Sequence, residues 1–129
     1  MTDPRTPQRR RAANRRGRTA EWIASVFLLL KGYQPVAWRV RTPAGEIDLI
    51  MRRKRTIVFV EVKQRASLDV AAEAITPLQQ SRIARAASLW LARRPEFAED
   101  TLRFDAVMIG RGRIRHVRDA FGADGRLAR

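Results

Sequence analysis

The stretch FVEVKQR, residues 59 to 65, ends a strand that begins as the fully apolar run Ile57, Val58, Phe59, Val60. Strand side chains repeat every second residue, so Glu61 and Lys63 share one face. An acid and a base two residues apart on a half-buried strand make a solvated edge, a structural ion pair or half of a catalytic site. The rest of the chain shifts the balance among the three.

Upstream, GEIDLIM alternates, with Ile47, Leu49 and Met51 on one face and Glu46, Asp48 and Ile50 on the other. The short basic tip Arg52, Arg53, Lys54, Arg55 joins it to the strand Thr56 to Lys63 as a hairpin. A two-residue loop of Lys54 and Arg55 sets Asp48 opposite Glu61, with Cβ atoms about 4.5 to 5.5 Å apart. Shifting the loop by one position on each strand pairs Glu46 with Glu61 instead and leaves Asp48 on that same face.

Two facing carboxylates repel unless a cation sits between them. Lys63 supplies one positive charge, and Mg²⁺ or Mn²⁺ held by Asp48, Glu61, a strand carbonyl and water would supply two more. Such an ion activates water and polarises a phosphoryl oxygen, and Lys63 is placed either to orient or activate the attacking water or to neutralise charge on the transition state. This is a phosphodiester-hydrolysis site in outline. Glu21 is its natural fourth member: between Ala20 and Leu30 the only polar side chains are Glu21 and Ser25. A helix so apolar is expected to be mostly buried, with its polar strip facing something specific.

The first helix is expected from Gly17 to Lys31, with Gly32 as its stop. Strand Val36 to Arg41 follows, then the hairpin. A second helix starts at Thr76, with Pro77 at its first position and Gln79 as a capping-box partner. Its apolar stripe is Ile83, Ala86, Ala87, Trp90 and Leu91, and Arg82, Arg85 and Arg93 share the opposite face. Strands Arg103 to Ile109 and Ile114 to Val117 complete the order helix, three-stranded meander, helix, two strands. A mixed α/β sheet flanked by helices satisfies it.

Charge names the partner class. In 129 residues, Lys plus Arg number 27 against 13 acids, a formal net charge of +14. Such a surface attracts polyanions, nucleic acid first and an anionic membrane surface behind it. The candidate nucleic-acid contacts are Arg52, Arg53, Lys54 and Arg55 at the hairpin tip and Gln79, Arg82 and Arg85 on the second helix. With no cysteine, a disulfide scaffold, a thiolate metal site and a cysteine nucleophile are all excluded. The single histidine, His116, rules out a His-rich zinc site and receives no role.

The length fits one domain with one core. Residues 1–16 hold six arginines and two prolines and are read as a disordered basic arm. Residues 17–118 form the folded domain, and 119–129 a flexible tail. The apolar run Trp22 to Leu30 falls short of the roughly 20 residues that span a bilayer. The expectation is a cytoplasmic protein without a membrane partner.

The order Glu21, G-E-I-D at 45 to 48 and F-V-E-V-K at 59 to 63 resembles the PD-(D/E)xK nuclease superfamily. More closely, GEIDLI with TIVFVEVKQR, AAEAITP and RFDAV is similar to the YraN family of small bacterial nuclease-like proteins. The likeness covers about Gly17 to Ile109. It implies a restriction endonuclease-like α/β fold, with Glu21, Asp48, Glu61 and Lys63 at the acidic and lysine positions and Asp48, Glu61 and Glu21 toward the metal. Ile47 stands where the superfamily name has proline, Ala20 where many members have glycine, and Gln79 where many have lysine. That last change weakens a phosphate contact or a supporting role. The implied function is a Mg- or Mn-dependent endonuclease acting on branched DNA, with DNA favoured over RNA. The alternative is a non-catalytic nucleic-acid-binding protein that assists a DNA-processing or recombination machine. Related resolvases act as dimers, so the likeness allows a homodimer, with no interface legible in the sequence.

Overall fold

A computed structural model describes the backbone of residues 7–122 and the side chains from residue 18 onward. Helix α1 (Pro7–Leu30) precedes a meander of β1 (Gln34–Thr42), β2 (Gly45–Arg53) and β3 (Thr56–Gln64). A short α2 (Leu68–Glu73) and a longer α3 (Pro77–Leu91) then cross to β4 (Thr101–Gly110) and β5 (Arg113–Phe121). A 3-10 turn at Pro95–Phe97 enters β4. The single sheet has the order β1-β2-β3-β4-β5, antiparallel except where β3 lies parallel to β4. This is the α/β layout expected of a restriction endonuclease-like fold.

α1 begins ten residues before the expected Gly17, its first residue a proline preset for that position. Helical backbone thus runs into the stretch read as a disordered arm, where Arg and Ala are strong helix formers. Positions 1–6 of that arm and 123–129 of the expected tail lie outside the described residues. The helix stops where expected: Gly32 takes φ 93°, and the amides of Gly32 and Tyr33 close back on the carbonyls of Leu29 and Leu28.

The two faces of the sheet carry separate cores. On one, Ala20, Ala24 and Leu28 of α1 pack on Leu49, Met51, Val58, Val60, Val62 and Val107. On the other, Ile83, Ala86, Ala87 and Trp90 of α3 cover Ile50, Ile57, Phe59 and Phe104. Phe104 stacks between Phe59, at 5.4 Å, and Phe121, at 5.2 Å. Phe121 is 1% exposed, so β5 runs past the expected Val117 and carries the start of the supposed tail into the core.

α1 is less buried than expected: Trp22 59%, Leu29 51% and Leu30 82% are exposed, while Leu28 is in the core and the polar strip of Glu21 and Ser25 is buried, as expected of a strip that faces something specific. Small Ala20 and Ala24 let the helix lie close on the sheet, which carries the polar strip inward with them. Among the described residues, no helix is long and apolar enough to cross a membrane.

One further departure shapes the site. Ile47 does not share a core with Leu49 and Met51 but joins Ile50 on the α3 side. The β1–β2 ladder pairs Trp38 with Leu49 and Val40 with Ile47, and between these pairs Arg39 takes φ 50°. A left-handed residue inside a strand breaks the alternation at this point.

Candidate active site

The β2–β3 hairpin turns on Lys54 and Arg55, with Arg53 paired to Thr56. Its last ladder pair toward the open end is Leu49 with Val60, and there the strands part. The next register position places Asp48 across from Glu61. Asp48 supplies the acceptor that the ladder no longer provides, its Oδ2 taking the Val62 N–H at 2.9 Å.

A cleft of about 780 Å³ opens at this divergence. Its acids are Glu21, Glu46, Asp48 and Glu61, and its bases are Lys63, Arg65 and Arg82, with Gln79 beside them. Lys63 Nζ lies 3.1 Å from Glu61 Oε1, and Gln79 Nε2 donates to the same oxygen at 2.9 Å. The Gln79 side chain therefore serves Glu61 and does not return to Thr76 as a capping box would have it. Thr76 still caps α3, its hydroxyl accepting from the Gln79 amide at 3.2 Å.

Burial disfavours charge on both strand acids. Asp48 is pushed up to about 8, first by desolvation and then by the charge of Glu61, against the Val62 hydrogen bond and Lys63. Glu61 is raised as well, again chiefly by desolvation, with Lys63 opposing. Two carboxyl groups that burial disfavours as anions offer oxygen donors whose ionised form a cation would stabilise. That set fits Mg²⁺ or Mn²⁺. Glu21 lines the same cleft but is otherwise engaged. Its Oε2 accepts from Arg39 Nε at 2.6 Å, and among the described residues no three acidic or imidazole side chains gather tightly enough to hold an ion.

Of the expected nucleic-acid contacts, Gln79 and Arg82 line the cleft and Arg85 lies exposed elsewhere on α3. The tip residues are at the other end of the sheet, roughly 17 Å from Glu61 along β3. Arg52 is engaged by Asp100 at 2.7 Å, Arg53 lies over the Tyr33 ring at 5.4 Å, and Lys54 and Arg55 form the exposed turn. Arg65 was missed although the alternation Glu61, Lys63, Arg65 pointed to it. Arg39 was missed because its role depends on a backbone kink that no local pattern announces.

His116 also has a place. It is buried, donates from Nε2 to Asp105 at 2.7 Å and accepts at Nδ1 from Lys31 at 2.8 Å. Asp105, fully buried, also accepts from Arg103 Nε and Nη2 at 2.8 Å each. This network lies away from the cleft.

The model of the uncharacterised protein family UPF0102 matches residues 20–109, a span that contains every cleft residue. A UPF0102 protein of Methylorubrum extorquens is 52% identical over 127 residues, covering 97% of this chain and 99% of its own. One of Bradyrhizobium diazoefficiens is 57% identical over 113 residues, covering 87% and 85%. One of Paramagnetospirillum magneticum is 48% identical over 118 residues, covering 88% and 92%. This chain therefore belongs to the uncharacterised protein family UPF0102, the YraN family whose paired motifs it carries.

Proposed function

We propose that this protein is a Mg- or Mn-dependent endonuclease that hydrolyses phosphodiesters in branched DNA. The observation that carries the reading is the convergence of Asp48, Glu61 and Lys63 in one cleft whose remaining cations, Arg65 and Arg82, suit a phosphate backbone. Asp48 and Glu61 would hold the cation. When bound, the ion supplies Lewis-acid polarisation of the phosphate and a water of lowered pKa. The chain's own groups do the rest. Gln79 and Lys63 both hold Glu61 through its Oε1. Lys63 also presents N–H donors where negative charge grows on the phosphorus oxygens, at the edge of a low-dielectric site where such donors act strongly. Arg65 and Arg82 neutralise neighbouring phosphates and orient the strand.

The test is incubation of the full chain with junction, flap and linear duplex DNA in Mg²⁺ or Mn²⁺. Branched substrates are expected to be nicked, and Asp48→Ala and Lys63→Ala to slow nicking by about 100-fold or more. Absence of cutting, or variants that cut like the wild type, overturns the reading. One observation favours a second reading, a DNA-binding protein without chemistry: Glu21, in the same cleft, is engaged by Arg39. That reading expects binding without any metal requirement, and a cation-dependent affinity would exclude it.

A further inference from the structure

Three described non-glycine residues have positive φ: Arg39, Lys54 and Asp119. Lys54 belongs to the hairpin turn, and Asp119 sits where the β4–β5 ladder shifts register between Phe104 and Ala106. Arg39 is in the middle of β1, where a left-handed residue costs about 1–3 kcal/mol and persists only if its surroundings hold it there. Its neighbours Trp38 and Val40 pair with Leu49 and Ile47, so Arg39 lies across from Asp48.

Three irregularities of β2 meet opposite the kink, at Asp48. Ile47 changes core, the β2–β3 ladder ends at Leu49, and the Asp48 carboxylate turns to the Val62 amide. At the kink, Arg39 Nε contacts Glu21 Oε2 at 2.6 Å, between side chains 29% and 11% exposed. The charge-assisted bond ties β1 to α1 at the left-handed residue of β1, four positions beyond the bulge at Pro35.

We propose that Arg39 and Glu21 form a positioning clamp that turns β2 at Asp48 and aims its carboxylate toward Glu61, so that Glu21 serves the site through Arg39 and not as a metal ligand. The aim given to Asp48 rests on the nuclease reading above; the clamp itself is testable apart from it. As a clamp, the two residues act as one unit, and removing either is equivalent to removing both. If Glu21 were a ligand, its loss would add to the loss of Arg39.

The experiment uses the full chain and two readouts. Amide hydrogen exchange at Val62 is compared with that at Val58, which lies in the same strand and serves as the reference for general loosening. Mn²⁺ binding is followed by electron paramagnetic resonance with the metal alone. Arg39→Gln and Glu21→Gln are each expected to speed Val62 exchange about 10-fold relative to Val58, and to weaken Mn²⁺ about 10-fold, with no further loss in the double variant. Arg39→Lys is expected to restore part of the Val62 protection. Unchanged relative exchange in both single variants overturns the clamp. So does a double variant whose Mn²⁺ affinity drops again by the full factor, the mark of direct ligation by Glu21. A wild-type chain that binds no Mn²⁺ overturns the nuclease reading alone, and the exchange data then decide the clamp.

Discussion

Asp48 takes up its proton more readily in the folded protein than in the unfolded chain. Desolvation, followed by the charge of Glu61, lifts it from 3.8 to about 8. Stability drawn from that proton is fully present below the unfolded value and is lost as pH rises through about 8. Asp48→Asn keeps an oxygen for the Val62 amide and has no proton to lose. With EDTA present, the melting temperature of Asp48→Asn relative to wild type is expected to rise between about pH 5 and about pH 8.5, by about 4 °C or more. Thermal denaturation across that range checks it, and parallel profiles would contradict the electrostatic account. Asp105 has the opposite sign. Desolvation acts to raise it, but hydrogen bonds from His116, Arg103 and the Asp119 amide outweigh burial and hold it below the usual carboxylate range. Its contribution is present at neutral pH and lost as pH falls through that lowered value. Asp105→Ala leaves Arg103 and His116 facing an empty position in the interior and is expected to cost about 3–5 kcal/mol in urea unfolding. Arg103→Met with Asp105→Leu, which removes both charges, is expected to recover much of that loss.

Among the elements, the β2–β3 hairpin was legible and its neighbours were less so. A two-residue turn at Lys54 and Arg55 determines which residues face each other, and Asp48 and Glu61 lie close enough in sequence for that rule to reach them. The cap of α3 at Thr76 was readable for the same reason, since it is made within four residues. The face of Ile47 was not, because alternation assumes a regular strand and Arg39 interrupts the partner. The outward turn of Trp22 and Leu30 was hidden too: hydrophobicity ranks them above Ala20 and Ala24, whereas close approach to the sheet selects the small residues. Close approach also governs the junction of β4 with α2. A Cβ on Gly110 would stand 2.7 Å from backbone atoms of Ser67 and Leu68, which cannot swing aside as a side chain would. Gly110→Ala is expected to cost about 1–3 kcal/mol in chemical denaturation and to free the start of α2. An unchanged midpoint would mean that α2 moves away without penalty.

At the scale of the molecule, a net charge of +14 makes association with nucleic acid strongly dependent on salt. If the cleft receives the backbone, Arg65→Ala with Arg82→Ala removes two phosphate contacts and is expected to lower the slope of log K against log salt by roughly 1.8. Substituting Lys54 and Arg55 at the far turn is expected to change that slope less, and fluorescence anisotropy across a salt series separates the two pairs. Equal effects would spread the binding surface over the whole molecule. The sheet order has a different consequence, in time. Strands β1 to β3 are joined by tight turns, as are β4 and β5, while Thr56 must find Thr101 to join the two groups. Contacts so far apart in the chain form late, because closing the loop precedes any gain from it. Asp48, Glu61 and Lys63 ride on the early group, and Gln79 and Arg82 on the crossover that docks afterwards. Pulse-labelled exchange during refolding is expected to protect β2 and β3 before α3. The growing chain thus acquires its acidic centre before the arginine wall that grips a polyanion, and its affinity for nucleic acid in the cleft matures last.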